Sequence, residues 1–460
     1  MSDLDRLISA MRSSEMLRLC LVGALTVVLL IPVALIWGLV SERRDRYQAT
    51  ISEVSASWGN AQKITGPALV LPYLVRDTDP ETGEPASTSS TRYAVFLPRR
   101  LEATGRADTE SRTRGIFVVP VYTLTSSVEG AFDPPDLAGL GIDPASVLWS
   151  RAHLAVGISD VRAIGEQPAL VWNEGPGEFL PGTGGFGGGE PGVHAPVMVS
   201  ATDRESTFSF SLSLNGSQAV YFGPFAEETV VRLTSDSPYA SFQGNWLPAD
   251  REVSADGFDA VWRVSYLGRN YPQSWISTTG VGEAIEASRF GVELGNPADH
   301  YRMADRSVKY AGLFILLTFA VVWLTEVLAG SRVHPIQYLM LGAALCVFYL
   351  IELSLAEHIG FHLAYGAASL AIVAMVASYG RSIFHGGRQA ALLAAGVTVL
   401  YGYLFVLLTN EDAALLAGSV GLFVVLAAIM FATRRIDWYA PARGAVSPGA
   451  SAGAQGSANT

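Results

Sequence analysis

Lysine is nearly absent from these 460 residues, occurring only as Lys63 and Lys309, and charged residues of all kinds make up 16%. With a net charge of −11 and a pI near 5.2, the chain offers no long basic stripe to neutralise phosphates, which argues against a nucleic-acid partner. Cysteine is equally scarce. Cys20 and Cys346 both lie inside apolar runs, so neither a disulfide framework nor a thiolate metal cluster is available. The two lysines give a Ser-Lys dyad little support, because Lys309 belongs at a membrane boundary and Lys63 precedes a strand. What the chain has in plenty is hydrophobicity. Apolar residues reach 50% and the mean hydropathy is +0.30, values that place part of the protein in a bilayer.

A bilayer core of about 30 Å takes roughly 20 apolar helical residues. The first such run, Leu19 to Val40, follows Arg12 and Arg18 and lacks a small-residue cleavage site before Glu42, so it reads as a retained anchor. Five more runs follow at Val308–Ala329, Ile336–Ala356, Ile359–Tyr379, Gln389–Leu408 and Ala413–Thr433. Arg332, Arg381, Arg388, Arg434 and Arg435 cluster after the second, fourth and sixth runs. The loops at Glu357-His358 and Asn410-Glu411-Asp412 hold no Lys or Arg. The positive-inside rule then predicts cytoplasmic termini and an external large insert, periplasmic in a Gram-negative cell. The expected domains are a cytoplasmic N-terminus (1–18), an anchor helix (19–40), a periplasmic β-rich domain (41–307), a five-helix bundle (308–433) and a disordered cytoplasmic tail (434–460).

The insert holds 33 acidic and 21 basic residues, a net −12 that makes it a poor docking surface for anionic lipid. Glu42 to Ala61 reads as a helical continuation of the anchor. Beyond it, β-rich stretches at Pro67–Arg76, Arg92–Arg100, Gly115–Leu124, Val147–Val156, Thr207–Leu214, Thr229–Thr234 and Phe258–Tyr266 alternate with turn residues. In STFSFSLSL, Phe208, Phe210, Leu212 and Leu214 alternate with serines, the mark of a strand with one wet face. The expected fold class is therefore a bundle of six transmembrane helices plus a large extracytoplasmic antiparallel β-sandwich-type domain. The glycine-dense Gly175–Gly192 lacks the Gly-Lys-Ser/Thr ending of a phosphate loop and reads as a mobile loop, as the tail after Tyr439 reads as unpacked.

Ionisable residues inside spans are functional candidates by default, which singles out Glu326 and Glu352. The helical rise puts them roughly 20 Å or more apart, so they form two clusters rather than one carboxylate pair. The inner cluster is Glu326, Arg332 and His334, with Arg332 expected to neutralise Glu326. The outer one is Glu352, Glu357, His358 and His362, extended by Glu411 and Asp412. His358 and His362 stand four apart, the spacing at which two imidazoles on one helix can hold a metal, although Gly360 interrupts them; no metal and no cofactor are expected. The outer histidines His153, His194 and His300 come with no nucleophile elbow. In the insert, Arg269, Asn270, Tyr271, Gln273 and Trp275 surround Pro272, a mixture suited to stacking on a sugar or peptide and equally to closing the aromatic end of a sandwich core.

Several ordered segments, among them ASWGNAQKITGPALVLPY (Ala56–Tyr73), LSLNGSQ (Leu212–Gln218), SADGFDAVWRVSYLGRNYPQSW (Ser254–Trp275), TEVLAGSRVHPIQYLMLG (Thr325–Gly342), LAEHIGFHLAY (Leu355–Tyr365) and TRRIDWY (Thr433–Tyr439), resemble the CreD family of bacterial inner-membrane proteins. The resemblance covers Leu17 to Tyr439. It implies a role in envelope integrity, colicin tolerance and the response to envelope or antibiotic stress under a two-component system, and it brings no catalytic residues. His362 departs from the family pattern, where a small residue is usual. The expected partners are the lipid bilayer and an envelope protein or polymer. The rival readings are a transporter or channel using Glu326 and Glu352, and an envelope hydrolase or metalloenzyme using the outer cluster.

Overall fold

The structure, a computed structural model, describes residues 15–78, 85–186, 191–201, 204–277, 280–295, 300–329, 333–384, 387–410 and 414–434. Its helices are α1 (Glu15–Trp58), α2 (Gly282–Ala287), α3 (His300–Lys309), α4 (Ala311–Ala329), α5 (Pro335–Ile359), α6 (Phe361–Phe384), α7 (Gly387–Thr409) and α8 (Ala414–Thr433). Two compact units result, one made of Met1–Arg43 with His300–Thr460 and the other of Arg44–Asp299.

Two sheets build the core of the second unit. One runs in the order β13 (Ser241–Gly244), β17 (Phe290–Glu293), β11 (Ala219–Phe222), β1 (Gln62–Thr78), β5 (His153–Ile158), β9 (Gly192–Pro196) and β8 (Leu180–Pro181). To it are added β2 (Pro85–Phe96), paired with β1, and β16 (Ser274–Ile276), paired with β2. The other runs β14 (Asp250–Ser254), β15 (Gly257–Ser265), β12 (Glu228–Ser235), β3 (Arg100–Arg114), β4 (Phe117–Phe132), β10 (Ser206–Ser217), β6 (Ala169–Trp172) and β7 (Gly175–Glu178). Their facing side chains form one hydrophobic cluster, a sandwich in which Trp262, Tyr122, Phe132, Phe225 and Phe290 are fully buried. In β10 the phenylalanines and leucines point inward and the serines between them are more exposed, as their alternation requires.

Two pairings, β1 with β11 and β3 with β12, are parallel, so the sheets are mixed rather than purely antiparallel. Parallel neighbours need a long crossover, and the chain from Arg114 to Glu228 supplies one. The stretch expected as a strand at Arg92–Arg100 runs through a turn, because β2 ends at Phe96 and β3 starts at Arg100. The inward face of β3 is Leu101, Ala103, Gly105 and Ala107, and after Leu101 these residues are too small to stand out among its charges. Gly175–Gly192 is also not simply a loop. It contains β7 and β8, buries Phe179 and Phe186 in the core, and only 187–190 lie outside the described residues. The tail after Tyr439 lies outside them as well.

In the first unit, α1, α5, α6, α7 and α8 are long and apolar enough to cross a membrane. The pair α3 and α4 makes a sixth span if counted together, bent by 50°. Each expected span overlaps an observed helix, but the second begins within α3 and crosses the break at Tyr310, and the fourth begins on the last residue of α5 and crosses Gly360 into α6. Gly342 marks a close approach of three helices in this unit, since a Cβ there would overlap Leu29 of α1 and come within 2.9 Å of Phe319 on α4. Small residues let membrane helices approach in this way. Overpacking of such a site costs about 1–3 kcal/mol. Gly342→Val is therefore expected to lower the thermal stability of the detergent-solubilised protein, while Gly366→Val, with nothing within 4 Å, leaves it unchanged; size-exclusion profiles after heating read the difference.

Candidate functional site

The polar groups of the first unit converge on α3. Its sequence HYRMADRSVK is amphipathic, with Tyr301, Ala304, Ser307 and Val308 buried on one face. The Tyr301 hydroxyl donates to Glu357 Oε1 at 2.9 Å, and Arg43 of α1 reaches the same oxygen at 3.8 Å. One and a half turns further along α3, Ser307 Oγ donates to Glu352 Oε2 at 2.8 Å. Trp37 Nε1 of α1 donates to Asp305 Oδ1 at 2.9 Å, and Arg306 Nη2 donates to the Leu407 carbonyl at the end of α7 at 3.0 Å. A polar helix is thus bound by α1, α5 and α7. In an environment without water, each of these groups needs such a partner.

The expected outer cluster comes only partly together. Glu352 is 1% exposed and bonded to Ser307, while Glu357 belongs to the Tyr301–Arg43 contact. His358 turns its Nδ1 to the Ser354 carbonyl on its own helix, at 3.0 Å. Gly360, at φ 77°, ends α5, so His362 starts a new helix and packs edge-on to Phe361 and Phe405. The break removes the shared helical face that a two-histidine metal site needs. Among the described residues no group of three or more His, Cys, Asp or Glu is placed to hold a metal ion. Glu411 and Asp412 lie outside the described residues.

At the other end of α5, Glu326 closes the α4–α5 turn. Its Oε1 accepts from the Val333 amide at 3.1 Å and its Oε2 from the Tyr338 hydroxyl at 3.0 Å. His334 is the N-cap of α5. Its Nδ1 accepts from the Ile336 amide and its own amide donates to Gln337, a reciprocal arrangement that satisfies two helix-end donors. Arg332, expected to neutralise Glu326, lies outside the described residues.

In the β unit, Arg269, Tyr271 and Trp275 are buried, Gln273 is half-buried and Asn270 is exposed. Arg269 Nη1 donates to the carbonyls of Pro224 (3.0 Å) and Ala226 (3.2 Å), its Nη2 meets Gln273, and its guanidinium lies 4.7 Å from the Tyr271 ring centre. Tyr271 also donates to Pro224, and Gln273 Nε2 donates to Leu97 and Pro98. These side chains clamp two loops to one end of the sandwich. Burial pulls the Arg269 guanidinium below its ordinary value and pushes the Tyr271 phenol up. Elsewhere in this unit His153 and His194 stack edge-on at 5.3 Å; each donates from Nδ1 to a backbone carbonyl, Arg151 and Gly182 respectively. Burial first, and then the neighbouring His194, lower the His153 value.

The residues that sequence reading missed are Trp37, Tyr301, Asp305, Ser307 and Arg306. The helical period of Tyr301, Ala304 and Val308, three and four apart, was the available signal, masked by the charges among them.

These features define a polytopic membrane protein carrying a mixed-sheet sandwich unit. The family model described as inner membrane protein CreD matches residues 14–439. Inner membrane protein CreD of Escherichia coli (strain K12) is 34% identical over 414 residues, 90% of this chain and 91% of the relative. The chain belongs to the CreD family of inner-membrane proteins.

Two outcomes are expected. Replacing Arg269 by Met removes the side-chain donor to the Ala226 carbonyl and one of the two to Pro224, which keeps Tyr271, at about 1–3 kcal/mol for a group left unsatisfied, and Lys, lacking the planar fork, restores only part. Denaturant unfolding of the full chain followed by tryptophan fluorescence measures this. For His153, a folded-state value below the unfolded one near 6.5 means that the unfolded chain binds more protons; stability is full above about pH 6.5 and falls with acidification towards the folded value. Thermal melts between about pH 7 and 5 should show that slope, and His153→Gln should flatten it.

Proposed function

We propose that this is a non-catalytic inner-membrane protein that supports envelope integrity under envelope or antibiotic stress, with residues 44–299 acting as a periplasmic binding module. The observation that carries the binding role is an open concavity of about 990 Å³ on the second sheet, in the size range of ligand sites. Exposed positions of neighbouring strands line it, Arg263 from β15, Glu228 from β12, Arg100 from β3, Glu129 from β4 and Thr207 from β10, with Tyr266 beside them. Both charge signs face one groove, which suits an envelope protein or polymer carrying amino and carboxylate groups. The side chains of Arg269, Tyr271 and Gln273 are committed to the loop clamp, so the groove is the surface assigned to the partner. The periplasmic side is supported by Arg332 after α4, Arg381 and Arg388 in the adjoining ends of α6 and α7, and Arg434 and Arg435 after α8, against no Lys or Arg in the loops after α5 and α7.

Photo-crosslinkers at Tyr266 and Thr207 of the full chain in living cells, read by mass spectrometry, are expected to recover one recurrent envelope component. Arg100→Glu should cut that yield about tenfold, the equivalent of about 1.4 kcal/mol, and weaken complementation of a deletion strain under envelope stress. Full complementation by a chain lacking the β unit would overturn the reading.

A further inference from the structure

Glu352 remains unexplained by an anchoring role. It is 1% exposed, inside an apolar helical unit, and its second carboxyl oxygen, Oε1, has no hydrogen-bond partner among the described residues. The surrounding groups come from four helices: Ser307 on α3, Tyr349 on α5 itself, Tyr365 on α6 and Tyr401 on α7. The three phenols lie close enough to feel the Glu352 charge, and none of these groups is cationic. Nearby cations are engaged elsewhere: Arg306 reaches Leu407, Lys309 pairs with Asp305 at 2.8 Å, and Arg43 meets Glu357. Glu326, by contrast, has both oxygens bonded in a helix turn. Glu352 therefore offers a desolvated negative charge, a hydroxyl at 2.8 Å and an open oxygen, the chemistry of a site completed by a small cation.

We infer that Glu352 and Ser307 form a binding site for a small monovalent cation, a proton or a sodium ion, at the junction of α3 and α5. Bound cation neutralises the carboxylate and keeps α3 seated; its loss leaves a bare charge between the helices. The site is independent of the groove on the β unit and of the binding role assigned there.

The test is infrared difference spectroscopy of the full chain in phosphatidylethanolamine–phosphatidylglycerol nanodiscs, with carboxyl bands followed against pH and against sodium exchanged for choline at constant ionic strength. A proton as occupant produces a neutral-carboxyl band that disappears on alkalinisation and is missing in Glu352→Gln. Sodium as occupant produces a carboxylate-band shift that depends on sodium and is missing in the same variant. With sodium as occupant, Ser307→Ala removes an oxygen ligand and should weaken the response about tenfold; with a proton as occupant, it removes the hydroxyl that donates to the carboxylate, so the neutral-carboxyl band should persist to a pH about one unit higher. The Gln variant keeps the shape of the side chain, and Glu352→Asp serves as a second reading should it fail to fold. Carboxyl bands that respond to neither ion, or that respond equally in wild type and in both Glu352 variants, would overturn the inference.

Discussion

The helical unit depends on one constraint: a polar group away from water must find its partner within the chain. His300–Lys309 is the place where this constraint is most heavily loaded, because a short amphipathic helix brings hydroxyl, carboxylate and guanidinium groups among hydrophobic helices. Its solution is distributed. Trp37, Glu352, Glu357 and the Leu407 carbonyl each take one contact, so α1, α5 and α7 are joined through α3 as well as through apolar packing. Apolar side chains gain little from leaving lipid for one another, which gives such hydrogen bonds and close contacts like that of Gly342 a larger share in specifying the arrangement.

The β unit obeys the same accounting with different means. β1 is its organising strand, pairing with β11, β5 and β2 along its length, and Ala68 to Leu71 are buried in succession because both faces are covered. At one end, loops bring main-chain carbonyls inside without a strand to pair them. Arg269, Tyr271 and Gln273 supply the donors, and the guanidinium fork suits several carbonyls at once. Aromatic residues mixed with arginine and glutamine can therefore be part of a core as readily as of a ligand site. The charged positions that remain open are those spread over the outer side of the second sheet.

Much of this was legible locally. Six hydrophobic segments, the serine-alternating strand at Ser206–Ser217 and the continuation of the first helix to Trp58 all follow from periodicity and length, properties of the chain read a few residues at a time. β3 was poorly legible because its inward residues after Leu101 are small, and α3 because its charges hid its period. Of the candidate residues, Glu326 and Glu352 stood out by composition alone, since a carboxylate in an apolar run is costly wherever it ends up. Their partners did not. Glu326 meets the nearby Val333 and Tyr338, whereas Glu352 meets Ser307, 45 positions away, and Gly360 turns His362 off the helix that carries His358. The sequence by itself determined that this is a membrane protein with a large β-rich insert, because hydrophobic length and alternation are local. Only the tertiary structure decided which polar groups are satisfied and which oxygen is left open, because hydrogen bonds between helices depend on their packing and not on their order in the chain.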